Sequence, residues 1–168
     1  MPAGSCAHSC YNWDVRTRIL SIIFSILAMA PASGALPPLA VTGNLGIQTR
    51  PDFEGSGFGY NLAVYNRFDE QVLLGVQSGQ GIAGHPSSVP ILAAGFMRLP
   101  FGRVFVPAAT GGIGWALGSG DGDGFIWRGG GLLDIRNGRR SSLLIGCEYE
   151  GFDGRGGLVV RGGALLEL

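Results

Sequence analysis

The sequence has no lysine, only three cysteines and two histidines, and no apolar run long enough to span a bilayer comfortably as a helix. Its twelve basic residues are all arginine and are balanced by twelve acidic residues, so no net positive field would attract nucleic acid. Cys6, Cys10 and Cys147 are too few and too scattered for a disulfide framework, and no Cys/His spacing is typical of a zinc site. We therefore expect no nucleic-acid partner, no cofactor and no structural metal.

Glycine is what the chain has in abundance. In 168 residues there are 31 glycines, and 46% of the residues are hydrophobic. This length suits one domain of ordinary size, and this composition is typical of an ordered, glycine-rich β protein.

The N-terminus has the pattern of an export signal. Arg16 and Arg18 precede an apolar run over residues 19–30, which small residues and prolines follow. Ser33 and Ala35 fit a small-x-small cleavage rule, although Ala30 offers a second site and an uncleaved anchor or buried helix is the alternative. We predict a signal peptide over residues 1–35 and a single β-barrel domain over residues 36–168.

From residue 40 onward, apolar and polar residues alternate in segments of about ten residues separated by turn signals. There are eight such segments: VTGNLGIQT, GFGYNLAVYNR, QVLLGVQSG, VPILAAGFMRL, RVFVPAATGGIGWAL, FIWRGGGLLDIR, RSSLLIGCEYEG and LVVRGGALLEL. They predict an all-β fold, an eight-stranded antiparallel up-and-down barrel. Asn137-Gly138 predicts a type I′ hairpin, and Pro107 indicates a bulge or a strand start.

The alternation leaves two barrels possible. A soluble secreted barrel would turn its apolar face inward and hold a small apolar ligand. A transmembrane barrel would turn that face to lipid. The apolar face includes Tyr60, Trp115, Trp127 and Tyr149, more large aromatics than an eight-stranded interior could easily hold. Because aromatics near strand ends also suit the membrane interface, the transmembrane barrel is favoured.

The strand series, the middle strand PAATGGIGWAL, the hairpin GGGLLDIRNGRRSSLLIGCEYEG and the terminal LVVRGGALLEL resemble the small outer-membrane β-barrel family, the OmpA-like and OmpX-like eight-stranded barrels. The resemblance covers residues 40–168. It implies a location in the bacterial outer membrane, contact with outer-membrane lipid, and handling by the export and barrel-assembly machinery. The family's closing strand usually ends in an aromatic residue, whereas here the apolar Leu168 occupies that phase as the expected assembly signal.

The same resemblance implies a topology. Both ends of the barrel chain would lie on the periplasmic side with the short turns near Asp69, Pro100 and Gly138. The opposite loops, near Asp52, His85, Asp121 and Gly154, would face outward.

The polar face carries charges that must meet inside a membrane barrel. Buried charges are tolerated when they are paired and hydrogen-bonded, so we expect an ion network that fills the lumen. Eight strands leave room for little more than side chains, which predicts a closed lumen, with a narrow gated channel as the alternative. The network consists of Arg98, Arg128, Asp134, Arg136, Glu148, Glu150, Arg161 and Glu167.

Catalysis and metal binding have little support in the sequence. His85 and Ser87 are close enough in sequence to suggest a hydrolase pair, but they lie in a loop with Pro86 between them. Asp121 with Asp123 supplies too few ligands for a calcium loop. We expect no catalytic, cofactor-binding or metal-binding residues. The predicted function is that of a non-enzymatic outer-membrane barrel contributing to envelope structure or surface interaction, and the oligomeric state stays open.

Overall fold

A computed structural model describes residues 39–49, 56–81, 89–118, 124–152 and 155–168, together with Ser21. Apart from Ser21, the predicted signal peptide lies outside the described residues, as do residues of the predicted loops near Asp52, His85, Asp121 and Gly154. Within the described ranges, no helix is long and apolar enough to cross a membrane.

Eight antiparallel strands close into one barrel in chain order, each paired with its neighbours in sequence and the last paired with the first. Each falls within about three residues of a predicted segment. The strands are β1 (Leu39–Thr49), β2 (Ser56–Arg67), β3 (Val72–Gly81), β4 (Val89–Arg98), β5 (Phe105–Leu117), β6 (Gly124–Arg136), β7 (Ser141–Phe152) and β8 (Arg155–Glu167).

The pairing register runs without interruption through each described strand pair. Pro107 is the third residue of β5 and causes no bulge, so it marks a strand start, where a missing N–H donor is tolerated. Closure at the seam is completed by the Leu168 N–H, which donates to the Leu39 carbonyl at 2.7 Å. A closed ladder leaves no strand edge unpaired, which is what the bilayer interior requires.

Three turns join strands at the end of the barrel that also carries Leu39 and Leu168, which we call the turn end. In the first, the Asp69 carboxylate accepts hydrogen bonds from the backbone N–H groups of Gln71 and Val72, both at 2.7 Å. In the second, Gly102 has a φ of 88°, in the region that favours glycine. We call the other end the loop end. There, β1 connects to β2, β3 to β4, β5 to β6 and β7 to β8.

The third turn corrects one prediction. A hairpin does occur at Asn137-Gly138, and Gly138 has a φ of 109°. However, the Asn137 N–H donates to the Ser141 carbonyl at 2.9 Å, and the Ser141 hydroxyl donates back to the Asn137 carbonyl at 2.7 Å. These bonds close a loop of residues 138–140, which is longer than the two-residue type I′ turn.

The outer surface of the barrel is apolar. Side chains alternate along the strands, and many that point outward are exposed, such as Leu45 at 73% and Ile113 at 59%. A soluble protein seldom exposes an apolar patch of more than about a few hundred Å². The alternative with an inward apolar face is therefore wrong, and the outer face is suited to lipid.

Aromatic side chains on this outer surface lie toward both ends of the barrel. Trp127 and Tyr149 are neighbours near the loop end, with ring centroids 5.6 Å apart. Trp115 has the same outward phase, between Ile91 and Phe125, but is mostly covered. The exposed aromatics are Phe58, Tyr60, Phe125, Trp127 and Tyr149 toward the loop end, and Phe68, Phe101 and Phe105 toward the turn end. This distribution agrees with two aromatic girdles.

Candidate functional site in the barrel lumen

The lumen contains the buried charges of the protein in two groups. Because alternate residues of a strand point inward, ionic residues on the polar phase converge inside the closed barrel. The first group, which we call the inner cluster, consists of Arg128, Glu148, Glu150 and Arg161. The second, the turn-end cluster, consists of Arg67, Arg98, Asp134 and Glu167.

The inner cluster joins three consecutive strands. Arg128 on β6 lies directly opposite Glu150 on β7, and its Nε donates to Glu150 Oε2 at 2.6 Å. Arg161 on β8 forms an ion pair with Glu148, which lies one inward position along β7 from its direct partner, Gly146. All four side chains are nearly shielded from solvent. Two cations and two carboxylates thus neutralise each other where water has little access.

Glycine makes room for this cluster. A Cβ added to Gly130 would lie 2.8 Å from Cγ of Glu148 and closer still to the Cys147 carbonyl oxygen. Any larger residue would therefore displace Glu148 or the backbone of β7. The glycine-rich polar phase noted in the sequence supplies the space in which these ion pairs form.

A small cavity of about 30 Å³ borders the inner cluster. Among its lining residues are Asn44 and Asn61, both buried. This volume holds about one or two water molecules, and buried polar groups usually find such partners. The inner cluster therefore leaves little free space around it.

The turn-end cluster is organised around Arg98. Its Nε donates to Asp134 Oδ2 at 2.7 Å, and its Nη2 lies 2.7 Å from Glu167 Oε1. Glu167 also pairs with Arg67, whose side chain is 32% exposed. The Arg98 guanidinium lies 5.7 Å from the centre of the Phe96 ring, within the range of a cation–π contact.

These pairs span more than one strand. Arg98 is on β4 and Asp134 on β6, with small Ala108 of β5 opposite Arg98. Arg67 is on β2 and Glu167 on β8, with Ala40 of β1 opposite Glu167. Because alanine occupies the intervening strand, the long arginine side chains can reach across it.

An apolar layer separates the two clusters. On β6, Leu132 lies between Arg128 and Asp134, and on β8, Leu165 lies between Arg161 and Glu167. We call this layer the septum. Its large members form one buried hydrophobic cluster: Tyr65, Leu73, Phe96, Leu132, Leu144 and Leu165. The sequence pattern does not predict the septum, because leucines on the polar face of a strand carry no signature of their own.

The structure brings seven of the eight predicted network residues into these clusters. The eighth, Arg136, is at the turn-end rim and exposed, and no carboxylate lies within salt-bridge distance of it in the described part of the chain. Arg67 belongs to the turn-end cluster but was not part of the predicted network. Its position on the polar face of β2 could have indicated that it points into the lumen.

The remaining predicted features are distributed as follows. Leu168 is exposed at the end of β8. His85, Ser87, Asp121 and Asp123 lie outside the described residues. Among the residues that the structure describes, no group of three or more His, Cys, Asp or Glu side chains could hold a metal ion.

No protein-family model and no curated protein matches the chain. Solved structures do share its fold. Neisserial surface protein A is 11% identical, with 78% of this chain and 96% of that chain covered and a TM-score of 0.58. The N-terminal β-barrel domain of Pseudomonas aeruginosa OprF is 10% identical, with 77% and 97% covered and a TM-score of 0.57.

A de novo designed transmembrane β-barrel, TMB2.3, is similar to the same degree: 12% identity, 81% and 98% coverage, and a TM-score of 0.57. Together with the closed barrel and its apolar outer face, these likenesses confirm the predicted fold. The chain has the fold of the small eight-stranded outer-membrane β-barrels, and an outer-membrane location is consistent with it.

Proposed function

We propose that this protein is a non-enzymatic barrel of the bacterial outer membrane with a closed lumen, and that it contributes to envelope structure or surface interaction. The observation that carries this proposal is the lumen itself. Two charge-balanced clusters occupy it, and the septum lies between them.

The septum is the main reason to propose closure. Leu165 is completely buried, and Leu144 and Phe96 are nearly so. An ion that crossed this layer would have to give up much of its hydration shell among mainly apolar side chains, and apolar constrictions block conduction by dewetting. The charges on either side of this layer already have ion-pair partners of opposite sign.

The lipid-facing surface supports the proposed location. Exposed aliphatic side chains cover the outside of the strands, and aromatics lie toward both ends. In the proposed orientation, the turn end faces the periplasm. Outer-membrane lipid and the export and assembly machinery are then the proposed partners.

The absence of enzymatic activity is part of the proposal. No histidine occurs among the described residues, so the lumen there offers no histidine to act as the base of a nucleophile–histidine pair. The inner carboxylates Glu150 and Glu148 are paired with Arg128 and Arg161.

Two measurements test the proposal together. Expressed protein should fractionate with the outer membrane and migrate differently on gels before and after boiling. The refolded barrel in liposomes should leave the leak of potassium ions at the level of protein-free liposomes. Full solubility without detergent would refute the location, and a potassium leak proportional to the amount of barrel would refute the closed lumen.

A narrow gated channel is the second candidate. One observation favours it: Arg98 has two carboxylate partners, on β6 and β8, and could exchange one for the other as part of an opening motion. A channel of this kind would give a potassium leak that disappears when Arg98→Met and Asp134→Leu are combined, since the exchanging pair is then gone.

We also propose that Leu168 is part of the assembly signal. Its side chain points outward, in phase with Leu166, and its N–H completes the seam with β1. Leu168→Asp should reduce the folded outer-membrane fraction severalfold, while Leu168→Phe should keep or increase it, as judged from unboiled gels of membrane fractions. If Leu168→Asp assembles as well as the unchanged protein, the terminal side chain is not a signal.

A further inference from the structure

A vestibule of about 560 Å³ opens at the turn end of the barrel. Its size falls within the range of about 300–1,000 Å³ that is usual for small-molecule sites. Its lining is unusually rich in arginine: Arg67, Arg98, Arg103, Arg136 and Arg139. Glu70 and Glu167 are the acidic residues in the lining.

The charges of this vestibule do not balance. Arg67 and Arg98 belong to the turn-end cluster, where two carboxylates neutralise them. Arg103, Arg136 and Arg139 have no carboxylate within salt-bridge distance among the described residues. Glu70 is the one remaining acid in the lining, so three cations against one anion leave two positive charges.

The three uncompensated arginines come from two different chain segments that the backbone holds together. Arg103 lies in the turn between β4 and β5, and Arg139 in the turn between β6 and β7. The backbone N–H of Arg136 donates to the Val104 carbonyl at 2.8 Å, which ties the end of β6 to the segment that carries Arg103. The positions from which the guanidinium groups extend are therefore fixed relative to one another.

We propose that the vestibule binds a phosphate-bearing anion, with Arg103, Arg136 and Arg139 as its ligands. A phosphate monoester carries a charge of about −1.5 to −2 at neutral pH and presents three acceptor oxygens. That charge matches the two positive charges left in the vestibule, whereas a single carboxylate would neutralise one of them. Guanidinium groups bind phosphate oxygens in bidentate fashion, which makes arginine well suited to this role.

Two sources present the same chemical group. One is a soluble phosphomonoester, and the other is the headgroup of a lipid such as phosphatidic acid in the adjoining leaflet. The site requires only the folded turn end, so it stands or falls independently of whether the lumen conducts.

The test is isothermal titration calorimetry of the refolded barrel in non-ionic detergent at constant ionic strength, because salt screens exposed charges. Glycerol 3-phosphate is the soluble probe, and phosphatidic acid in mixed micelles is the lipid probe. We expect saturable binding of one phosphate group per barrel. Saturation by glycerol 3-phosphate identifies a soluble ligand, and saturation by phosphatidic acid alone identifies a headgroup site.

Matched variants separate a site from general charge attraction. Arg136→Gln combined with Arg139→Gln should weaken binding at least tenfold. Arg139→Gln alone should weaken it severalfold, whereas Arg140→Gln, which removes one charge from the same turn but outside the vestibule lining, should change it less than twofold. Arg103→Gln, on the other turn, gives an independent third variant, and migration of unboiled samples verifies that each variant is folded.

Two results would overturn the proposal. One is the lack of saturable binding of either probe to the unchanged protein. The other is an equal loss of affinity in Arg140→Gln and in Arg139→Gln, which would show that only net charge attracts the anion.

Discussion

The inner cluster and the turn-end cluster have the same composition, two arginines and two carboxylates, but different surroundings. The side chains of the inner cluster are nearly shielded from solvent, and among the described residues each of its arginines is paired with one carboxylate. The turn-end cluster borders the open vestibule, and Glu167 is shared by two arginines. Charge is balanced in both clusters, whereas the vestibule lining carries Arg103, Arg136 and Arg139 with no carboxylate paired to them among the described residues. Solvent access, more than residue type, thus separates the structural ions from those available to a ligand.

Breaking an enclosed pair should have the largest effect on stability. Glu148→Leu leaves Arg161 as an uncompensated buried charge, which we expect to lower the free energy of unfolding by about 3–5 kcal/mol. Combining it with Arg161→Met should recover most of that loss, because two apolar side chains can replace a buried ion pair. Urea unfolding of the barrel in lipid vesicles measures both. A single variant as stable as the unchanged barrel would mean that the inner cluster is hydrated.

The space that glycine provides for the inner cluster should have an intermediate effect. Gly130→Ala forces its Cβ against Glu148 and the backbone of β7, and overpacking of this kind costs about 1–3 kcal/mol. Gly129→Ala is the matched control. It lies on the outward phase with no atom within 4 Å of an added Cβ, so its unfolding free energy should change by less than about 0.5 kcal/mol. Equal losses for both variants would attribute the effect to β6 in general.

The exposed pair of the turn-end cluster should contribute least. Arg67→Gln removes a partly exposed partner while Arg98 continues to neutralise Glu167. We expect a loss of about 0.2–1 kcal/mol that shrinks as salt is raised, since solvent and ions screen this pair. Unfolding at low and high salt checks it. A loss as large as that of Glu148→Leu would remove the distinction between the two clusters.

Much of the fold could be predicted because a strand in a barrel repeats every two residues. Leu62 and Asn61 point to opposite faces of the sheet, and so do Leu143 and Ser142. The alternation along one strand predicts this without any knowledge of the neighbouring strands. The outward direction of the apolar face also followed, because the aromatics exceeded what a small lumen can hold.

The partners inside the lumen could not be predicted in the same way. Arg98 and Asp134 meet across an intervening strand, so their pairing depends on the register of β4, β5 and β6 together. Periodicity says nothing about residues in turns, which is why the contribution of Arg103 and Arg139 to the vestibule had no signal. The septum was not predicted, because the inward face was identified by its charged residues, and Leu132 and Leu165 are apolar residues on that same face.

The central claim is that the septum closes the lumen between the two clusters. Single-channel recording in planar bilayers tests it most directly, with the unchanged barrel, a Leu132→Ala/Leu165→Ala variant and Leu166→Ala as the outward-facing control. The unchanged barrel and the control should be silent, while the double variant, verified as folded, should show discrete current steps. Steady current through the unchanged barrel, or silence of the folded double variant, would contradict the claim.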